Sequence, residues 1–198
     1  MVDSQFERKL SDVLHGLIFD LLLVTDGRTT DLLEMLLNEK MNVHVIRQEQ
    51  IDGENVNLMG ESSGGPNYIR ESVLICEQSR FVVSHNIALV NSKHVPPILF
   101  EKIAHRQEGI GKAMSSLGMH TFRKVADFGF INEAETVDLF QQPIKIHFPN
   151  LQNKVPYKKY FIYFERKPGI QMLEYFHPSI IRHRLQQEMT KEQSNKEE

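Results

Sequence analysis

Tyr68–Val90 reads YIRESVLICEQSRFVVSHNIALV, two apolar runs rich in β-branched residues on either side of the polar EQSR. Runs of this length around so short a connector predict an antiparallel hairpin, with strands near Tyr68–Cys76 and Arg80–Val90 turning across Glu77–Ser79. A period of two puts Tyr68, Arg70, Ser72, Leu74 and Cys76 on one face of the first strand, and Ile69, Glu71, Val73 and Ile75 on the other. Arg70 and Glu71 therefore point opposite ways. A guanidinium is almost never buried without a partner. Arg70 and His85, set inside segments that read as sheet core, must look out into water or inward at something negative that the sheet is built to hold.

Working outward, the chain before the hairpin reads as helices and one strand. Val13, Leu14, Leu17, Ile18, Leu21 and Leu22 recur at helical spacing and predict a helix over Ser11–Leu23 that buries this stripe. Asp26 and Gly27 make a turn, Thr29 or Thr30 is placed to cap, and Leu32, Leu33, Leu36 and Leu37 predict a short helix over Asp31–Asn38. Met41, Val43 and Val45 alternate with Asn42 and His44, the pattern of a strand continuing toward Ile51. Glu61–Asn67 (ESSGGPN) breaks the chain as a flexible loop, since it lacks the lysine and hydroxyl residue of a phosphate loop.

After the hairpin, HVPPILFEKIAHRQ opens with prolines suited to a helix start and carries Ile98, Leu99 and Ile103 on one side. GIGKAMSSLG, bounded by Gly109 and Gly118, reads as a second short helix. Its Lys112 does not make a phosphate loop, because Arg106 and Ala113 stand where glycine and Ser/Thr are needed. Thr121–Ile131 predicts a strand, and KKYFIYFE and IQMLEYF flank RKPG to make a final hairpin. Asn132–Lys154 reads as an irregular insertion, SIIRHRLQQEM as a weak helix, and the chain from Thr190 to Glu198 as a charged, solvated, disordered tail beyond a domain of residues 1–189. Helices grouped between runs of strands argue for one α+β domain built on a mainly antiparallel sheet.

Composition narrows the function classes. The 198 residues are 40% hydrophobic with a formal charge of -3, enough for one core and without a basic surface for nucleic acid. The most apolar window, Leu14–Val24, is interrupted by His15 and Asp20 and falls short of the roughly 20 residues of a membrane span. A single cysteine, Cys76, excludes an internal disulfide, and the N-terminus has no signal-peptide layout, so a cytoplasmic protein is expected. Cys76 in a β-rich run reads as a small buried hydrophobe rather than a nucleophile. No HExxH or GxSxG occurs, and the nine histidines are scattered without ligand spacing, so no metal site is expected. What remains is a set of polar residues embedded in predicted strands: Arg70, His85, Arg123 and Glu174.

The succession VTDGRTTDLLEMLL, IRESVLIC, SHNIALV, VPPILFEKI, GIGKAM, TFRKVADFGF and KKYFIYFERKPGIQMLEYFHP resembles the chorismate pyruvate-lyase superfamily. The likeness is closer to the branch once catalogued as a domain of unknown function, and it runs from about Leu17 to Pro178. The resemblance implies a central antiparallel sheet whose helices cover a buried ligand cavity. It also implies a cofactor-independent lyase that converts chorismate, or a closely related enolpyruvyl carboxylate, to 4-hydroxybenzoate and pyruvate. On it, Arg70 grips the ring carboxylate with a planar fork, and Glu174 meets the hydroxyl at the other end of the ring. These two would be catalytic, with His85 and Arg123 as further substrate-binding residues. His85 departs from the family, whose classical members carry an arginine there; an imidazole is charged only conditionally. Asn132–Lys154 is a second departure and a candidate lid, with Lys158 and Lys159 as alternatives at the entrance.

Two other readings stand beside the lyase. A non-catalytic small aromatic acid binding protein would use the same fold, as effector domains of certain bacterial regulators do. Those regulators carry a DNA-binding domain ahead of the effector domain, and the stretch before Leu17 is too short for one, which favours the enzyme. The partner on either reading is a small-molecule carboxylate, with neither nucleic acid nor membrane. The blandest reading makes Arg70 a structural ion pair with Glu71 or Glu174.

Overall fold

The computed structural model describes residues 4–51, 66–105, 109–149, 151 and 154–197. Most of the Glu61–Asn67 breaker, together with Arg106, lies outside the described residues. The chain forms a single α+β domain in the order α1 (Ser4–Val24), α2 (Thr29–Leu37), β1 (Met41–Ile51), β2 (Asn67–Cys76), β3 (Val82–Asn91), α3 (Pro97–Ala104), α4 (Ile110–Ser116), β4 (Phe122–Ile131), β5 (Val155–Phe164), β6 (Lys167–Phe176) and α5 (Ile180–Glu197). The strands make one six-stranded sheet, β1-β2-β3-β6-β5-β4, and every neighbouring pair is antiparallel. Among the described residues no helix is long and apolar enough to cross a membrane.

The hairpin that decides the fold forms as read. Its connector closes with Arg80 in the left-handed region at φ 59°. The register pairs Arg70 with Ala88 and Val73 with His85. The last two strands also pair as predicted, but their turn is Glu165–Arg166, with Glu165 at φ 56°, and Lys167-Pro168-Gly169 belongs to β6. Gly118, at φ +62°, ends α4. Its N–H bonds Ser115 O and that of Met119 bonds Met114 O, the paired bonds of a Schellman motif.

Both faces of the sheet are covered, so the central strands β2, β3 and β6 read as nearly continuous buried runs while edge strand β4 is mostly exposed. On one face α1, α2 and α5 pack Phe19, Leu22, Leu33, Leu37 and Ile180 against Leu74, Cys76 and Phe176. On the same side α3 and α4 pack Leu99, Ile103, Ile110 and Met114 against Ala88, Tyr160, Ile162 and Met172. The other face, carrying Ile69, Ile87, Leu89, Leu173 and Tyr175, is covered by Leu139, Ile146 and Phe148. These three come from the irregular segment 132–154.

Three expectations change. In α1 the buried face is Phe19, Leu22 and Leu23, while Val13, Leu14, Leu17 and Leu21 of the sequence stripe are about half exposed or more. The helix is apolar on two sides, and periodicity does not say which one meets the sheet. Neither threonine caps α2: Arg28 holds the N-cap position without a side-chain cap bond, and Thr29 turns its hydroxyl into the interior, where it is buried. The C-terminal chain is helical to Glu197 rather than a disordered tail from Thr190. Pairs of Glu188 with Arg184 and Lys191 and a bond from the Thr190 hydroxyl to Gln186 O extend an exposed helix that has no apolar face to advertise it.

Candidate functional site

Beneath the helices the sheet holds a cavity of about 590 Å³, lined by the inward residues of β2, β3, β5 and β6, by Arg123 of β4, and by α2 and α4. The size suits a small organic ligand. Alternation sends Arg70, Ser72, Ser84, Asn86, Tyr160, Met172 and Glu174 to this face. The register then sets the spacing. Asn86 pairs with Ser72 on one side and with Glu174 on the other, and Lys158 pairs with Glu174 in turn. Arg70 and Glu174 are thus two strands and one two-residue step apart, ~12 Å between Cα atoms from ordinary strand spacings, both facing the cavity.

Arg70 is 2% exposed. Its Nη1 donates to Ile103 O at 3.0 Å, at the C-terminal end of α3, and to Gln48 Oε1 at 3.4 Å. A cation against the last carbonyls of a helix is favourably placed, so α3 and β1 brace the guanidinium at one end of the cavity. The pairing with Glu71 is excluded by geometry, because Glu71 on the opposite face holds Arg47 Nε at 2.7 Å and His85 Nε2 at 2.9 Å.

Glu174 is 7% exposed, and its Oε2 is buried with no hydrogen-bond partner among the described residues. Burial raises its carboxyl above the ordinary range, while the nearby Lys158 and Arg123 charges and the hydroxyls of Thr29 and Tyr160 pull it back down. Burial is the largest of these influences. Tyr160, fully enclosed beside it, is pushed well up for the same reason and by the Glu174 charge. Lys158 is not at an entrance. It is 1% exposed and donates Nζ to Leu22 O at 3.3 Å and to Thr25 O, the carbonyls that close α1. Burial lowers its ammonium pKa, with the Glu174 charge opposing. Lys159, one residue on, points to the other face.

The structure brings Arg70, Arg123 and Glu174 to one cavity and separates His85 from them. His85 has 0% exposure and lies on the opposite face, its Nε2 against Glu71 and its Nδ1 accepting the His147 N–H at 3.3 Å. Burial lowers its pKa more than Glu71 raises it. Its ring belongs to a polar network on that face, away from the cavity. The physical reason is parity: residues paired across the hairpin share a face, and His85 pairs with Val73. The described residues of the 132–154 insertion, through Leu139, Ile146 and Phe148, cover that same back face rather than the cavity. It does deliver His147 to His85 and Glu71, and the ligand atoms of these three lie within 4.8 Å of one another. Sequence reasoning passed over Thr29, Asn86 and Tyr160; only the alternation of Lys158, Tyr160 and Ile162 in β5 hinted at an inward tyrosine.

The family described as chorismate pyruvate-lyase, Rv2949c-like, matches residues 23–184. No curated protein sequence matches this one. Among solved structures, PhnF from Mycobacterium smegmatis superposes with a TM-score of 0.51 at 12% identity, over 78% of this chain and 65% of that one. The effector domain of the same PhnF gives 0.50 at 13% identity, over 78% of this chain and 91% of that one. The product of SA0254 from Staphylococcus aureus gives 0.47 at 13% identity, over 69% and 82%. At these identities the two PhnF structures share the fold with this chain and nothing finer.

Proposed function

We propose, for a chain that belongs to the Rv2949c-like chorismate pyruvate-lyase family, that the cavity takes chorismate or a close enolpyruvyl carboxylate and releases pyruvate, leaving 4-hydroxybenzoate. The reading rests on one juxtaposition: a buried arginine at one end of the cavity and, ~12 Å away across the strands, a buried carboxylate whose Oε2 has no hydrogen-bond partner among the described residues. A ring with a carboxylate at one end and a hydroxyl at the other fits between them. Arg70 holds the carboxylate with its fork, and Glu174 Oε2 accepts the ring hydroxyl. Thr29 and Tyr160 orient the Glu174 carboxylate, and Arg123 and Lys158 balance its charge.

In the elimination, the ether bond between the ring and the enolpyruvyl oxygen breaks and the ring carbon bearing the hydroxyl loses its hydrogen as a proton. The departing enolpyruvate takes up a proton and becomes pyruvate. Aromatisation drives the step, no electrons are exchanged with any outside group, and the protein's part is to position the ring and stabilise separating charge. Purified protein incubated with chorismate should release pyruvate and 4-hydroxybenzoate in equal amounts. Binding of 4-hydroxybenzoate with no pyruvate release would assign the chain to the non-catalytic aromatic acid binders; neither binding nor turnover would remove the ligand class.

A further inference from the structure

On the face of the sheet away from the cavity, two imidazoles and a carboxylate converge from distant parts of the chain. Glu71 comes from β2, His85 from β3 and His147 from the strap over residues 132–149, and their ligand atoms lie within 4.8 Å of one another. We propose that Glu71, His85 and His147 form a binding site for one divalent transition-metal ion of the zinc class, which pins the strap to the back of the sheet.

The geometry is close to what such an ion needs. Zinc accepts nitrogen and oxygen ligands at roughly 2.0–2.2 Å, so three donors that already converge to within 4.8 Å reach it with small side-chain adjustments. The ligands are held in place. His85 is in the centre of a hairpin with 0% exposure, and His147 is gripped by its neighbours Ile146 and Phe148, both buried in the back-face core. Glu71 Oε2 is fixed by Arg47 Nε at 2.7 Å, which leaves Oε1 for the ion; an outer hydrogen bond that orients a ligating carboxylate is a usual feature of metal sites. His147 is exposed, so the ion has a path from solvent and water can complete a tetrahedral set.

The chemistry also selects the ion. Imidazole ligands suit zinc, cobalt, nickel or copper and do not suit magnesium or calcium, which take oxygen. The His85 and His147 rings stand with their centroids 5.1 Å apart, close enough for a single dication to take a lone pair from each. Binding at His85 Nε2 moves the ring proton now directed at Glu71 to the other ring nitrogen, Nδ1, so the ring stays neutral and gives up the long bond it accepts there from the His147 amide.

The test uses the full, untagged chain stripped with a chelator. Zinc is titrated calorimetrically, cobalt by its visible absorption, and melting is followed with and without zinc. The site should take up one equivalent of either ion, cobalt should show the intense bands of a tetrahedral complex, and zinc should raise the melting temperature. His147→Ala, a change at an exposed ring, should weaken uptake by more than the roughly 10- to 100-fold that loss of an outer-shell partner costs, and should abolish the zinc-dependent rise in melting. Glu71→Gln, which keeps the shape, should weaken zinc binding similarly. Absence of uptake at millimolar zinc, or uptake unchanged in folded His147→Ala, would overturn the site.

Discussion

Replacing Arg70 by leucine separates a ligand anchor from a structural ion pair. The guanidinium is 2% exposed, and in the protein without ligand it already donates to Ile103 O and Gln48 Oε1. Leucine fills part of the volume and leaves the Ile103 carbonyl short of a donor, a cost offset in part because no charge then has to be kept out of water. If the net loss is ~2 kcal/mol, a chain of 198 residues, with an unfolding entropy near ~2.1 cal/mol/K per residue, melts ~5 °C lower and still folds. The ligand effect should be larger and selective. A charged hydrogen-bonding contact contributes about 1.5–3 kcal/mol, so 4-hydroxybenzoate should bind about 10- to 150-fold more weakly. Its neutral analogue 4-hydroxybenzaldehyde, which has no carboxylate to offer, should be nearly indifferent. Calorimetric titration of both compounds into parent and Arg70→Leu, with melting curves alongside, measures all of this. Unchanged binding of 4-hydroxybenzoate in the folded variant, or an equal loss for both compounds, would take Arg70 out of the site.

Glu174→Gln keeps the shape of the other anchor and removes its charge; turnover of chorismate should fall by orders of magnitude while product affinity changes much less. Because burial raises the folded pKa of Glu174, the folded chain holds its proton where the unfolded chain has lost it. The stability of the parent relative to the variant should therefore fall as pH rises from the ordinary carboxylate range to the raised value, by about 1.4 kcal/mol for each unit between the two; paired urea titrations showing the opposite slope would contradict the burial argument. Cys76, with 0% exposure and a thiol pushed up to about 11, should resist an aromatic disulfide reagent in the folded protein and react fully on denaturation; prompt reaction of the native protein would reopen its reading as a nucleophile. At Gly169 a Cβ would come within 2.6 Å of Phe164 Cδ2 and 3.0 Å of Val95 Cγ2, so Gly169→Ala should cost about 1–3 kcal/mol of stability, with no effect expected if the β5–β6 hairpin were open there.

The elements themselves were legible in the chain because their signals are local. A polar EQSR between two β-branched runs specifies a hairpin, paired prolines start α3, and Gly118 stops α4, whatever the rest of the molecule does. Arg70 and Glu71 facing opposite ways follows from the pleat alone. The order and spacing of short motifs from about Leu17 to Pro178 also sufficed to place the chain among the chorismate pyruvate-lyase-like proteins, and that reading agrees with the family match over residues 23–184.

What only the tertiary structure decided are the questions of phase and of distance. The face that His85 occupies depends on the register between β2 and β3, and a shift of one residue would have reversed it; Val73, not Arg70, is its neighbour on that face. Which of two apolar sides of α1 is buried depends on where the sheet stands, and Thr29 belongs to the cavity because α2 packs over Glu174. The clustering of Glu71, His85 and His147 joins residues 14 and 62 positions apart, and no periodicity carries information over such a span. Local chemistry sets what each segment becomes; long-range pairing sets which of its side chains meet.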